Sequence, residues 1–181
     1  MTTCHSTPAQ GEPTTIAHAD GSALSNPGPG GWAAVIVAED GTTVSLTGGE
    51  DHTTNNRMEL RGATEALRAL PIDIPSVLFC DSQYVVKGAT IWRKGWESRG
   101  WKNANGKPVA NPDLWQALYA VLDTRPLVAL RWVRGHAGNG LNETVDRLAR
   151  AEAEKRKLAL RSRYSADNPA PFGRMLKEAL A

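Results

Sequence analysis

Apolar residues follow two rhythms along this chain. The first fifty residues carry short apolar runs broken by clusters of Gly, Pro, Asn and Asp, and the remainder carries longer stripes at helical spacing. Residues 14–20 read as a short strand ending in Asp20-Gly-Ser, and residues 25–31, Ser-Asn-Pro-Gly-Pro-Gly-Gly, as a turn-forming loop that excludes helix. Residues 32–38 form a buried strand, residues 39–42 a hairpin turn and residues 43–49 the returning strand. Thr53, Thr54 and Asn55 offer N-cap side chains to a helix that runs to Leu70 and is stopped by Pro71. Residues 76–80 are the next strand, and Ser82 caps a helix through Val85 and Val86 towards Trp92. Residues 93–112 read as irregular, 113–123 as a helix, 127–133 as a strand, 134–141 as a glycine-rich loop and 142–161 as a long helix. Three strands, then helix, strand, helices, strand and helix predict an α/β fold, a mixed sheet flanked by helices.

A length of 181 residues suits one domain with a sizeable core and leaves no room for a second lobe. Residues 14–161 are expected to form that domain. Residues 1–13, rich in Thr, Ser, Pro and Gln, lack periodicity and read as a disordered leader. Beyond residue 161 the chain reads as a C-terminal tail in which Phe172, Met175, Leu176 and Leu180 recur at helical spacing, enough to dock on this domain or on a protein partner. Net charge is only +2, too mild to argue for nucleic acid without a basic cluster. Cys4 and Cys80 form neither a disulfide framework nor a metal-ligand spacing, and no run approaches the length of a membrane span, so the expectation is a cytoplasmic monomer.

Four acidic residues change the picture. Asp20 and Asp81 both follow strands, so parallel neighbouring strands would set them side by side, at the edge where reactive groups gather in open α/β sheets. Glu59 lies on the apolar stripe of its helix with Ala63, Ala66 and Leu70, an unusual place for a carboxylate. Asp146 stands four residues into the last helix, at the same edge. Taken singly, Asp20 is a turn residue, Asp81 helix-start chemistry and Asp146 a solvated acid. Together they would repel one another, a cost that divalent cations remove, and an all-oxygen donor set favours Mg²⁺ or Mn²⁺. Two such ions about 4 Å apart can activate a water and stabilise the leaving oxygen of a phosphodiester displacement.

These residues carry a resemblance. Asp20-Gly-Ser followed by Asn26-Pro-Gly-Pro-Gly-Gly-Trp32, Thr53-Thr-Asn-Asn-Arg-Met-Glu-Leu60, Asp81-Ser-Gln-Tyr-Val85, Trp92 through Trp101, Asp113-Leu-Trp115 and Trp132-Val-Arg-Gly-His-Ala-Gly138 leading to Asn142-Glu-Thr-Val-Asp146 closely resemble ribonuclease H type 1. The resemblance implies a five-stranded mixed sheet, three antiparallel strands and then two parallel to the first. It implies hydrolysis of the RNA strand of RNA–DNA hybrids by two Mg²⁺ ions, with Mn²⁺ as a substitute, leaving 5′-phosphate and 3′-hydroxyl ends. Asp20 would bridge both ions, Asp146 would bind the ion that activates water, and Glu59 and Asp81 the ion on the leaving-group side. His136 would be a mobile general acid/base or a product-release histidine. Asn26, Asn55, Asn56 and Gln83 resemble minor-groove readers of 2′-hydroxyls, and Thr54 and Asn111 a pocket for a DNA-strand phosphate, where His52 replaces a frequent arginine. Residues 91–107, with Trp92, Trp96, Trp101 and Lys102 among five basic groups, resemble a basic handle for the duplex.

Three rivals are weighed. A non-catalytic binding module for hybrid or double-stranded RNA would need the loss of an acid, and all four are present. A junction resolvase or integrase core shares the fold class but not the amide set and handle. A sugar-kinase or actin-like ATPase, whose phosphate loop can also begin Asp-Gly-Ser, needs a second lobe.

Overall fold

The computed structural model describes residues 14–135 and 140–167. The expected leader, His136 and the apolar positions 172–180 of the tail lie outside the described residues.

Five strands form one sheet in the order β3-β2-β1-β4-β5. β1 (Thr15–Ala23) pairs antiparallel with β2 (Gly28–Val37), which pairs antiparallel with β3 (Thr43–Thr53). On its other side β1 pairs parallel with β4 (Ser76–Cys80), and β4 parallel with β5 (Val128–Trp132). This is the mixed sheet that the order of elements predicts. The helices are α1 (Asn55–Ala69), α2 (Gln83–Lys87), which continues through a π-helical turn (Gly88–Trp92) into α3 (Arg93–Ser98), then α4 (Pro112–Leu122) and α5 (Gly140–Asp167). Among the described residues no helix is long and apolar enough to cross a membrane.

Strand alternation divides the core. Ala17, Ala19, Ala34, Ile36, Leu78 and Cys80 point to one face, where α1 and α4 supply Leu60, Ala63, Leu67, Leu114, Trp115 and Leu118. Ala33 and Val35 point to the other, beneath Val145 and Ala149 of α5. Ala63, Ala66 and Leu70 are buried, so the stripe that carries Glu59 does face the sheet.

Five boundaries depart from expectation, one of them that of β3, which runs four residues past Gly49 and takes in Thr53, expected among the cap residues of α1. β1 runs three residues past Asp20, which therefore lies within a strand, paired with Ala33, rather than after it. The stretch read as a loop over residues 25–31 shrinks, because β2 begins at Gly28. Pro29 is tolerated there because the ladder shifts register between Gly28 and Gly30, so its missing N–H costs no bond. Its glycines serve packing: a Cβ on Gly31 would lie 2.4 Å from the Ala149 carbonyl oxygen of α5. Residues 93–98, expected to be irregular, are helical because Trp96 buries against Trp115. The last helix starts at residue 140 and reaches 167, where Arg163 pairs with Asp51 at 2.9 Å.

The tightest backbone-to-backbone approach sits at the site. A Cβ on Gly21 would meet the Glu59 amide nitrogen at 2.1 Å, and one on Gly62 would meet the Asp20 carbonyl oxygen at 2.7 Å. α1 therefore crosses β1 backbone to backbone. Gly21→Ala should lower stability in urea unfolding by about 3 kcal/mol or more, the upper range of overpacking. Gly140→Ala, with open space around the new methyl, should cost nothing measurable. Equal stability of the two variants would contradict the packing described.

Candidate active site

β4 ends at Cys80, level with Ala19 by extension of the parallel register, so Asp81 leaves the sheet beside Asp20. α1 brings Glu59 over the same point, because Gly21 gives its backbone no thickness to clear. Asp146 faces Asp20 from α5 on the opposite side of the sheet. Two strands and two helices thus deliver one carboxylate each.

Asp20 is 8% exposed. Burial, and then the charges of Asp81, Asp146 and Glu59, push its pKa up to about 7, against one opposing hydrogen bond from the Gly21 amide at 2.8 Å. Burial also raises the pKa of Glu59, and Asp81 adds to the shift, while two donors oppose it. These are the Ser82 hydroxyl, at Oε2, and Asn55 Nδ2, at Oε1 and 2.8 Å. Asn142 Nδ2 donates to Asp81 Oδ2 at 3.2 Å. Among the described residues no three His, Cys, Asp or Glu side chains stand close enough to hold a metal ion as they are. The acids interact through space without closing into a ready shell, as like charges do. Their chemistry, hard oxygen donors gathered with the pKa of Asp20 and Glu59 raised, fits a hard divalent cation.

The amides act locally first. Thr54, at the N-cap of α1, makes no capping bond; Asn26 supplies it from the β1–β2 loop, its Oδ1 accepting from the Asn55 amide at 2.8 Å. Asn55 Oδ1 accepts from Ala23. Asn26, Thr54, Asn56, Ala110 and Asn111 line one cavity of about 320 Å³. His52, exposed on β3, is not among them. Asn111 holds a left-handed conformation at the N-cap of α4. Gln83 accepts a bond from Lys87 at 2.8 Å.

Residues 91–107 are anchored by an aromatic chain. Trp96 is buried between Trp92, at 5.5 Å, and Trp115, at 5.2 Å, so it serves the core more than any ligand. Trp101 stacks on Tyr119. Arg93 is bound by Asp123 and Glu97 and lies over the Tyr119 ring, which leaves Lys94, Arg99, Lys102 and Lys107 as the exposed basic groups. Trp92 stays partly exposed.

Three positioning groups escaped the residue pattern. Ser82 was legible as a helix cap, which it is, but not as a donor to Glu59. Asn142 gives no sign of its partner. His18 lies two residues before Asp20 and so on the same face of β1; that alternation was an available signal. It is 3% exposed, stacks on Phe79, and its pKa is lowered by burial against the opposing pull of Asn142 and Asp81.

A mixed sheet with acids converging where β4 ends defines a ribonuclease H-like nuclease fold, and comparison with known proteins agrees. The family model for RNase H matches residues 12–154, and the chain belongs to the ribonuclease H family of hydrolytic nucleases. It is 49% identical over 146 residues to a ribonuclease H of Rhodopseudomonas palustris (strain BisB5), a match covering 81% of this chain and 96% of that protein. It is 56% identical over 135 residues to one of Methylorubrum extorquens (strain PA1), covering 75% of this chain and only 58% of that longer relative. Among solved structures, LC9-RNase H1, described as a type 1 RNase H with the type 2 active-site motif, superposes with a TM-score of 0.69 at 36% identity over 80% of this chain and 74% of that one. LC11-RNase H1, solved in complex with an RNA/DNA hybrid, shares the fold with a TM-score of 0.60 at 22% identity over 78% of this chain and 97% of that one.

The raised pKa of Asp20 has a signed consequence for stability. Between its ordinary value of 3.8 and about 7 the folded protein holds a proton that the unfolded chain has lost. Stability must then fall as pH rises across that window. In chelator-containing buffer, Asp20→Asn should raise Tm by several degrees at pH 8 and change it little at pH 4. A difference between variant and wild type that does not grow with pH would contradict the assignment.

Proposed function

We propose that this protein is an endonuclease that hydrolyses the RNA strand of RNA–DNA hybrids, acting through divalent cations held by Asp20, Glu59, Asp81 and Asp146 and leaving 5′-phosphate and 3′-hydroxyl ends. The observation that carries the reading is the carboxylate cluster itself: four acids from four elements, with the most buried held far above its ordinary pKa by burial and by the charges of its neighbours. Membership of the ribonuclease H family supports the substrate class.

A pair of Mg²⁺ ions, or Mn²⁺ in their place, would supply Lewis acidity at the scissile phosphate and a water acidified for attack. Within this reading Asp20 would serve both ions, Asp146 would help hold the ion that acidifies the water, and Glu59 and Asp81 would help hold the ion that offsets charge on the leaving oxygen. The protein's own residues do the rest. Ser82 and Asn55 hold both oxygens of Glu59, and Asn142 holds one of Asp81, so these oxygens are already oriented when a cation would draw the carboxylates together. Asn26, Asn55, Asn56 and Gln83 would read 2′-hydroxyls across the wide minor groove, since an amide both donates and accepts. Thr54 and Asn111 would grip a phosphate of the DNA strand in the cavity they share. Trp92 and Lys102 would carry the duplex along the handle, and His136 would pass protons at working pH. The reading extends to a monomer and to a reducing cytoplasm, the latter in keeping with the free, buried thiol of Cys80.

The test is cleavage of labelled RNA–DNA hybrid, double-stranded DNA and double-stranded RNA, each with Mg²⁺ or chelator. Cutting confined to the RNA of the hybrid, abolished by chelator and by Asp20→Asn, is the expected result. Cutting of the DNA duplex, or full activity of Asp20→Asn, would sink the reading.

A further inference from the structure

Large apolar side chains open to solvent gather beside the carboxylates. Ile91 is 67% exposed and Trp132 46%. Together with Gln83, Val86, Lys87 and Thr90 they line a cavity of about 300 Å³. Leaving such surface wet forgoes roughly 25 cal/mol for each Å² that folding could have buried, so an oriented aromatic left in solvent points to use.

Trp132 is oriented. It is the last residue of β5, paired with Cys80, and its Nε1–H donates to the Asp81 carbonyl oxygen at 2.8 Å. The bond fixes one edge of the indole to the main chain of a residue whose side chain belongs to the carboxylate cluster. Much of the ring still lies open to solvent. Opposite it, Gln83 and Lys87 stand one helical turn apart, joined by their own hydrogen bond, with Ile91 four residues further on. The strip therefore offers an amide, an ammonium group and an aliphatic chain along the edge of an aromatic plane. That combination matches a sugar–phosphate backbone: the ring and Ile91 against the ribose, Lys87 to the phosphate.

We propose that Trp132 and Ile91 form a shelf for the nucleotide of the cut RNA strand that flanks the carboxylate cluster. The strand follows from the connection to Asp81, since whatever lies on the indole is continuous with what is presented to that carboxylate. The proposal rests on the hybrid-cleaving reading above.

The experiment measures hybrid affinity by fluorescence anisotropy with Ca²⁺ in place of Mg²⁺, alongside kcat and KM with Mg²⁺, for the full chain and for Trp132→Ala, Trp132→Phe and Ile91→Ser. Trp132→Ala should raise both Kd and KM about tenfold, the scale of losing an aromatic face from a nucleic-acid contact, with kcat changed less than about twofold. Trp132→Phe, which keeps a ring, should lose less. Ile91→Ser, at a solvent-exposed position that carries no risk to the fold, should weaken binding about threefold and gives the answer should Trp132→Ala not fold. Wild-type Kd and KM in Ile91→Ser and Trp132→Ala would overturn the shelf. So would a fall in kcat with Kd unchanged, which would reduce Trp132 to a prop for Asp81. A wild-type chain that neither binds nor cuts the hybrid would instead overturn the functional reading on which the shelf depends.

Discussion

The crossing of α1 over β1 is the constraint from which the site follows. Gly21 and Gly62 let two backbones touch where any Cβ would collide, and that contact sets the height at which Glu59 meets Asp20. Parallel pairing of β1 with β4 then decides where Asp81 emerges, and the packing of α5 on Gly31 decides where Asp146 descends from the other face. None of these placements depends on the acids attracting one another. They are imposed on side chains that repel, and the core provides the stability that holds them there.

That imposition distinguishes a functional cluster from an accident of composition. Elsewhere the protein neutralises its charges pairwise: Arg57 with Asp113, Arg93 with Asp123, and Glu152 with Lys155 and Arg156. At the end of β4 the acids meet hydroxyl and amide donors but, among the described residues, no salt bridge, and burial together with their mutual repulsion pushes the Asp20 pKa up to about 7. A binding module that had abandoned catalysis would have no physical reason to maintain the arrangement. The donors around Glu59 and Asp81 orient oxygens without cancelling charge, as suits groups that hold a cation.

Much of this was legible in the residues. The alternation of strands, the Pro71 stop, the caps at Ser82 and the apolar stripe through Glu59 all correspond to elements found, because each is a local preference that tertiary packing reinforces. What could not be read was long-range. The Gly-Pro-Gly-Gly of residues 28–31 looks like a turn, yet it is a strand because α5 and α1 press on it and because a bulge absorbs Pro29. The cap of α1 comes from Asn26, twenty-nine residues away, rather than from Thr54. The hand-off from Asn142 to Asp81 spans sixty-one residues and leaves no local trace. Which of the tryptophans anchor the handle could not be read either: Trp96, expected at the substrate, is buried against Trp115, and Trp101 stacks on Tyr119.

The central claim is that four converging carboxylates share their charge until a cation takes it. Carboxyl ¹³C NMR of the aspartates, titrated from pH 4 to pH 9 with and without Mg²⁺, addresses it directly. Without Mg²⁺ one aspartate, lost in Asp20→Asn, should titrate near 7, and Mg²⁺ should move that transition below the range. An Asp20 resonance that titrates near 4 without Mg²⁺, and is unmoved when the ion is added, would contradict the account.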